Sequence, residues 1–377
     1  MEQNIIPVFR PSIDNDEIEA VTKVLKSGWL GMGKITEEFE KQFAKYIGVK
    51  HAIALNSCTE ALRLSLVGLE PGDEVITTPL TFVSTIHAIL YNGGKPVFAD
   101  VLKDDLTIDP ADIEKKITLK TKTIIPVHLY GNPCRIKEIM AIAENNDLKV
   151  IEDCAHACGS NYSFTSDKVG SWNTSCWSFH AVKNLACGDG GMITTNDDHD
   201  AERFKKLRWL GISKSTFQRS NNLGHNYGWE YDVEDLGYKC HMNDISASIG
   251  LCQLKKLDEN NHKRKEIALR YEKALSSLVE TIPFNGDSAC HIYAIRTPYR
   301  DKLNLWLREN GISSGVHYKP IYSHSYFAKM LGESYYLPTV EKEWQKLLSL
   351  PIYPDLSRKD QEWIILKIKE FFNEKRN

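Results

Sequence analysis

The chain has 377 residues, 42% of them hydrophobic and 26% charged, with a formal net charge of −3. That is the balance of a folded globular protein long enough for about two domains, and its slight negative charge excludes a general attraction to nucleic acid or anionic membrane. The nine cysteines are odd in number and scattered, so a reduced, cytoplasmic location is expected rather than a disulfide framework. Neither Cys154 and Cys158 nor Cys240 and His241 has a further ligand pair at zinc spacing, and no metal site is expected. The opening MEQNIIPVFRPSIDNDEIEA lacks the basic start and apolar stretch of a signal peptide. No run of about 18 apolar residues would span a membrane.

In chain order, IDNDEIEAVTKVLKSG predicts a helix stopped by Gly28, and KITEEFEKQFAKYIG a second stopped by Gly48. Strand HAIALN, turn SCT and helix EALRLSLVGL follow. Strand EVITTP, helix-like TFVSTIHAILYNGG and strand KPVFADV come next. Helix DPADIEKKI, strand TKTIIPVHLYG, helix IKEIMAIAENND and strand LKVIEDCA complete the run. Strand and helix in alternation predict an α/β fold: a mostly parallel sheet with helices on both faces. Ligands of such sheets bind at the carboxyl ends of the strands. After about residue 250 the pattern changes. QLKKLDENNHKRKEIALRYEKALSSL reads as one long connecting helix, followed by a smaller α+β segment ending in DQEWIILKIKEFFNEK. The expected division is a large domain over 1–243 and a small one over 244–377. The polar, aromatic stretch 215–235 reads as a loop at a binding surface or against a second subunit.

Three strand ends carry candidate chemistry. In ALNSCTEALRL, Ser57 and Glu60 fit a capping box. Ser57, Cys58 and Thr59 would present hydroxyls and N–H groups at a positive helix terminus, which suits a phosphate and equally suits a plain cap. In VIEDCAHACG an apolar strand ends in Glu152 and Asp153. A buried acid there needs a positive partner, either a protonated pyridine nitrogen or an arginine. In SFHAVKNLACGDGG, strand-like TSCWSF runs into His180 and Lys183 and then a glycine-rich turn. Lys183 is either a solvated lysine or a desolvated amine able to form a Schiff base. A lysine, an acid and a phosphate cradle together are the parts a pyridoxal cofactor needs.

With SGWLGMG, NSCTEAL, GDEVITTPLTFVST, GGKPVFADV, IIPVHLYG, VIEDCAHACGS, SFHAVKN, GDGGMITTND, LGYKCHMNDISASIG, SGVHYKPI and LSLPIYP in order, the chain resembles the DegT/DnrJ/EryC1/StrS sugar aminotransferases, of the aspartate-aminotransferase fold type I. The resemblance runs nearly end to end. It implies that Lys183 carries pyridoxal 5'-phosphate (PLP) and that Asp153 pairs with the ring nitrogen. Phe82 and Ala155 would flank the ring, and His156 would lie near its hydroxyl. Ser57, Cys58, Thr59 and Ser178 would hold the phosphate. Lys239, in GYKCHM, stands where relatives commonly have an asparagine that reaches the neighbouring subunit's cofactor phosphate. His241 replaces an arginine. As a point charge Lys239 could contact phosphate or face the substrate diphosphate. His317 and Tyr318, Trp29 and His180 are candidate substrate contacts.

The same resemblance implies a homodimer with shared sites and a reaction in two halves. Glutamate converts PLP to its amine form, PMP, which then aminates the keto group of a nucleotide-linked 6-deoxyhexose. Lys183 would move the proton. Lysine there, rather than the histidine of a dehydrating branch, implies transamination. The histidine of SFHAVKN favours C4 of a 4-keto-6-deoxyhexose, with C3 amination of a 3-keto sugar as the alternative. A PLP-binding regulator without turnover is a remote alternative, because no helix-turn-helix or basic segment is present. A Rossmann dehydrogenase is excluded by the lack of G-x-G-x-x-G after a strand.

Overall fold

A computed structural model describes residues 5–213, 231–284, 287–331 and 335–374. Most of the aromatic 215–235 stretch lies outside the described residues. Helices α1 (Asn15–Ser27) and α2 (Lys34–Ile47) end on left-handed Gly28 and Gly48, the residue type that tolerates this conformation. Asp14 and Glu17 close a full capping box on α1. Then come β1 (His51–Leu55), α3 (Cys58–Ser65), β2 (Glu74–Thr77), α4 (Val83–Tyr91), β3 (Lys95–Phe98), α5 (Pro110–Lys116), β4 (Thr121–Ile125), α6 (Ile136–Asn145) and β5 (Lys149–Asp153). Strands β6 (Thr174–Ser178) and β7 (Gly191–Thr195) and helix α7 (Asp198–Leu207) follow.

The seven strands form one sheet in the order β1-β7-β6-β5-β4-β2-β3. All neighbours pair in parallel except β7, which is antiparallel to both β6 and β1. Strand periodicity sorts the side chains into two cores. Ile53, Leu55, Ile151, Cys176 and Ile193 face one cluster, and Ala52, Ala54, Val150, Trp177 and Met192 face the other. Burial on both faces is what a parallel sheet requires, and it explains the unbroken apolar strands.

The predicted connector over 253–278 is two helices, α8 (Asp244–Lys255) and α9 (Leu257–Leu275). Lys256 between them has φ −104° and ψ 7°, outside the helical range. The helix start was hidden because its cap is Asn243, whose side chain accepts from Ser246 N–H at 2.9 Å, well before the charged pattern begins. Leu257 packs in a sheet core, while Ile267, Tyr271 and Leu275 pack in a third cluster, so α9 joins the two parts of the chain. That third cluster covers a small antiparallel sheet of order β10-β9-β8, made by β8 (Glu280–Thr281), β9 (Tyr293–Arg296) and β10 (Leu347–Leu350). Among the described residues no helix is long and apolar enough to cross a membrane.

One close approach fixes the edge where the strands end. A Cβ on Gly191 would lie 2.3 Å from the Ser57 carbonyl carbon and 2.5 Å from Cys58 N. Glycine lets β7 run against the turn between β1 and α3. The variant Gly191→Ala must push these backbones apart, and is expected to lose about 1–3 kcal/mol. Calorimetry on the purified variant checks this; an unchanged melting temperature would show that the turn yields freely.

Candidate active site

The carboxyl ends of β1, β2, β4, β5 and β6 meet the start of β7 at one sheet edge. They enclose a cavity of about 430 Å³, within the range of small-molecule sites. Each predicted site residue lines it except Trp29 and Lys239. Ser57, Cys58 and Thr59 come from the turn after β1. Phe82 follows β2, while Asp153, Ala155 and His156 end or follow β5. Ser178, His180 and Lys183 end or follow β6, and His317 and Tyr318 arrive from the C-terminal part.

The turn after β1 is built as a cap. Ser57 Oγ accepts from Glu60 N–H at 3.2 Å. The first intrahelical bond of α3 is Ala61 N–H to Ser57 O, so the N–H groups of Cys58 and Thr59 precede it and point out of the helix end. The expected capping box is half made, because the Glu60 carboxylate turns to Arg63 instead. Thr59 Oγ1 and Ser84 Oγ lie 2.8 Å apart beside this turn. Helix end, hydroxyls and the bare Gly191 backbone form a cradle suited to a phosphate.

The two acids at the end of β5 separate by strand alternation. Glu152 faces away from the cavity and is fully buried. Tyr162 Oη donates to it at 2.8 Å and Asn173 Nδ2 at 2.9 Å. His128 Nδ1 accepts from Cys134 N–H, which leaves Nε2 to donate to Glu152 at 2.9 Å. The positive partner expected for a buried acid is therefore not an arginine here, and Glu152 is held by three donors. Asp153 faces the cavity and is 4% exposed. It accepts from Thr85 Oγ1 at 2.9 Å and from Ala155 N–H at 3.1 Å. Since Thr85 donates there, Thr81 Oγ1, 2.8 Å away, must donate to Thr85. Burial pushes the Asp153 carboxyl up; Ala155 N–H, Thr85 and Lys183 offset this only in part.

Lys183 is half-buried, and desolvation lowers its amine from 10.5 to about 8. Among the described residues no ion pair joins it to Asp153. Three imidazoles stand nearby. His156 Nε2 lies 3.1 Å from Tyr318 Oη, and its Nδ1 accepts from Tyr130 N–H at 3.4 Å. His291 packs 4.6 Å from His156 and stacks on Phe9. His317 Nδ1 lies 2.9 Å from Ser349 Oγ. Burial lowers all three: His156 and His291 well below the usual value, His317 to about 4, with Lys183 adding to each. They are neutral at physiological pH.

Phe9, Thr85, Tyr130, His291 and Asp189 were missed by sequence reasoning. Thr85 had a signal, being three residues after Phe82 on a mostly apolar helix. Phe9 and His291 had none, because the fold brings them from far along the chain. Tyr130, read as the end of a strand, lies in a single turn with φ +63°. Trp29 lies away from the cavity, with Nε1 donating to Met32 O at 3.3 Å. Lys239 is exposed, its ammonium 3.4 Å above the Trp209 ring. His241 packs on the same ring at 4.4 Å.

A family model described as the DegT/DnrJ/EryC1/StrS aminotransferase family matches residues 11–369. The chain belongs to the DegT/DnrJ/EryC1/StrS aminotransferase family. It is 39% identical to the spore coat polysaccharide biosynthesis protein SpsC of Bacillus subtilis, over 97% of each chain. Among solved structures it is similar to Helicobacter pylori PseC, an aminotransferase involved in the biosynthesis of pseudoaminic acid. That match has 30% identity and a TM-score of 0.91, over 98% of this chain and 100% of the other. It is also similar to Spr1654 of Streptococcus pneumoniae in its PMP form, at 31% identity and a TM-score of 0.90, over 98% and 99%. The protein is a PLP-dependent sugar aminotransferase. Its cavity fits the cofactor: a phosphate cradle, a buried acid without a cationic hydrogen-bond partner, and a neutralisable amine share one enclosure.

The lowered amine gives a pH test. Only neutral Nζ attacks an aldehyde, so PLP capture by the apo protein is expected to accelerate with a midpoint near pH 8. Stopped-flow absorbance of the visible band reads it. A midpoint near 10.5, the unshifted lysine value, would show that Lys183 is solvated.

Proposed function

We propose that the protein moves an amino group from glutamate to the C4 keto group of a nucleotide-linked 4-keto-6-deoxyhexose, giving a 4-amino-4,6-dideoxy sugar nucleotide. The observation that carries the transamination is half-buried Lys183 and buried Asp153 lining one cavity with a phosphate cradle at its wall. C4 is favoured by His180, three residues before Lys183 and lining the same cavity. PLP when bound supplies the electron sink and the carrier for the amino group.

The residues divide the remaining work. Ser57, Cys58, Thr59 and Ser178 would hold the phosphate, and Phe82 and Ala155 would confine the ring. Asp153 would keep a proton on the ring nitrogen. Thr85 and Ala155 N–H fix the direction of its carboxylate. Lys183 Nζ, neutral for a substantial part of the time at its lowered pKa, takes a proton from the donor carbon and returns it on the acceptor side. Neutral His156 and His317 leave that amine as the group that changes charge.

A homodimer with shared sites belongs to the same proposal. Lys239 is supported as the residue that reaches a neighbour: it is exposed, outside its own chain's cavity, and clamped on Trp209. Sedimentation of the holoenzyme reads the stoichiometry.

Glutamate is expected to bleach the visible band of the holoenzyme. A panel of UDP-, dTDP- and GDP-linked 4-keto and 3-keto-6-deoxyhexoses should restore it, with product NMR showing nitrogen at C4. Nitrogen at C3 would replace the regiochemistry. Turnover by Lys183→Ala without added amine would sink the mechanism.

A further inference from the structure

The antiparallel ladder of β6 and β7 pairs Ser178 with Gly191. One step further out, Phe179 N–H donates to Gly190 O at 2.9 Å. There the ladder stops, because Phe179 O accepts from Cys187 N–H rather than from Gly190. His180 and Asp189 are the next residues along the two strands. Residues two apart on a strand share a face, and Ser178, His180 and Asp189 all line the cavity. An imidazole and a carboxylate thus leave neighbouring strands just beyond the last ladder bond, both lining the cavity and both exposed.

The backbone on either side of Asp189 is fixed. Gly188 has φ +89°, and a Cβ on Gly190 would meet Cys187 Sγ at 2.6 Å and Met242 Cε at 2.7 Å. Among the described residues, the Asp189 carboxylate and the His180 ring make no hydrogen bond or ion pair with each other or with a neighbour. Two polar groups follow a packed strand end with their hydrogen-bonding capacity unspent within the described chain.

Charge decides what they can bind. Apart from the imidazoles, the charged groups lining the cavity are Asp153, Lys183 and Asp189. Asp153 is buried, Lys183 is half-buried and Asp189 is exposed. An ionised carboxylate only accepts hydrogen bonds, and it repels phosphate and the carboxylates of an amino acid. Its fitting ligand is a neutral group rich in O–H or N–H donors.

We propose that His180 and Asp189 form a cross-strand pair that reads the hydroxyl or amide groups of the hexose, and so set sugar specificity without touching the cofactor, the diphosphate or the amino donor. This rests on the aminotransferase reading above. The carboxylate would accept from sugar donors on one side while the imidazole bonds from the other.

The test is Asp189→Asn, which keeps the shape and removes the charge, beside Asp189→Glu and His180→Gln. Steady-state kinetics would use whichever of UDP-4-keto-6-deoxyglucose, dTDP-4-keto-6-deoxyglucose and GDP-4-keto-6-deoxymannose the native enzyme turns over best. Loss of a charge-assisted hydrogen bond is expected to raise KM for that sugar about tenfold to a hundredfold. The rate of bleaching by glutamate and the inhibition constant of the free nucleoside diphosphate should each move less than about twofold, the scale of a solvated surface change. Asp189→Glu should recover part of the affinity. An unchanged KM overturns the proposal. So does a loss of nucleoside diphosphate affinity that matches the rise in KM, because the pair then acts on the nucleotide. Failure of the native holoenzyme to be bleached by glutamate is a different result: it removes the aminotransferase reading and the pair with it.

Discussion

A lysine and an aspartate desolvated in one cavity with no ion pair between them set the terms for the rest of the site. Burial disfavours the charged form of each, lowering the amine and raising the carboxyl. Direct contact would relieve both costs, and would also spend both groups. The separation leaves Asp153 wanting a proton donor and Lys183 available as a nucleophile. One molecule that offers an aldehyde to the amine and a basic nitrogen to the acid satisfies both at once. Electrostatic cost built into the protein is thereby offset by cofactor binding.

The sheet order makes that separation possible. β5 and β6 are parallel neighbours, so Asp153 and the segment leading to Lys183 leave the same edge side by side. Alternation then does the sorting: Ile151 and Asp153 share one face of β5, Val150 and Glu152 the other. Glu152 is anchored by His128, Tyr162 and Asn173, a set of donors that ties the end of β5 to the loops beneath. Three donors suffice to hold a buried carboxylate without a full positive charge. The wall that carries Asp153 is thereby held from behind, and no arginine competes with the cofactor for the acid.

How much of this was legible in the sequence follows from what is local. Lys183, Asp153 and the Ser57–Thr59 turn each sit at the end of a recognisable strand, so order and spacing exposed them. The alternation of strands and helices likewise gave the sheet and its ligand-binding edge. The break at Lys256 was not legible, because charged residues suit a helix on either side of it. Phe9 and His291 were hidden for another reason: His291 meets His156, and Phe9 stacks on His291, only where distant parts of the chain come together at the sheet edge. The different fates of Glu152 and Asp153 were also hidden. Adjacent acids look alike until the strand is placed and its two faces are assigned.

The described lining of the cavity leaves a charge problem unsolved. Both proposed substrates are anionic, glutamate through its carboxylates and the sugar nucleotide through its diphosphate. Yet among the described residues Lys183 is the one lysine or arginine lining the cavity, and it is committed to the cofactor. The neighbouring imidazoles of His156, His291 and His317 are neutral, because burial and the field of Lys183 both oppose a second charge. Asp189 adds a negative group where the cavity opens. Cations for two anionic substrates must then come from a surface other than this lining. Lys239 has the right character: an exposed ammonium held over an indole, its proton loosened by partial desolvation, paired with no carboxylate among the described residues. Aromatic clamping fixes its position without neutralising it, which leaves its charge available to an anion on a second copy of the chain. The charge balance of the described lining is thus in keeping with the proposed dimer with shared sites.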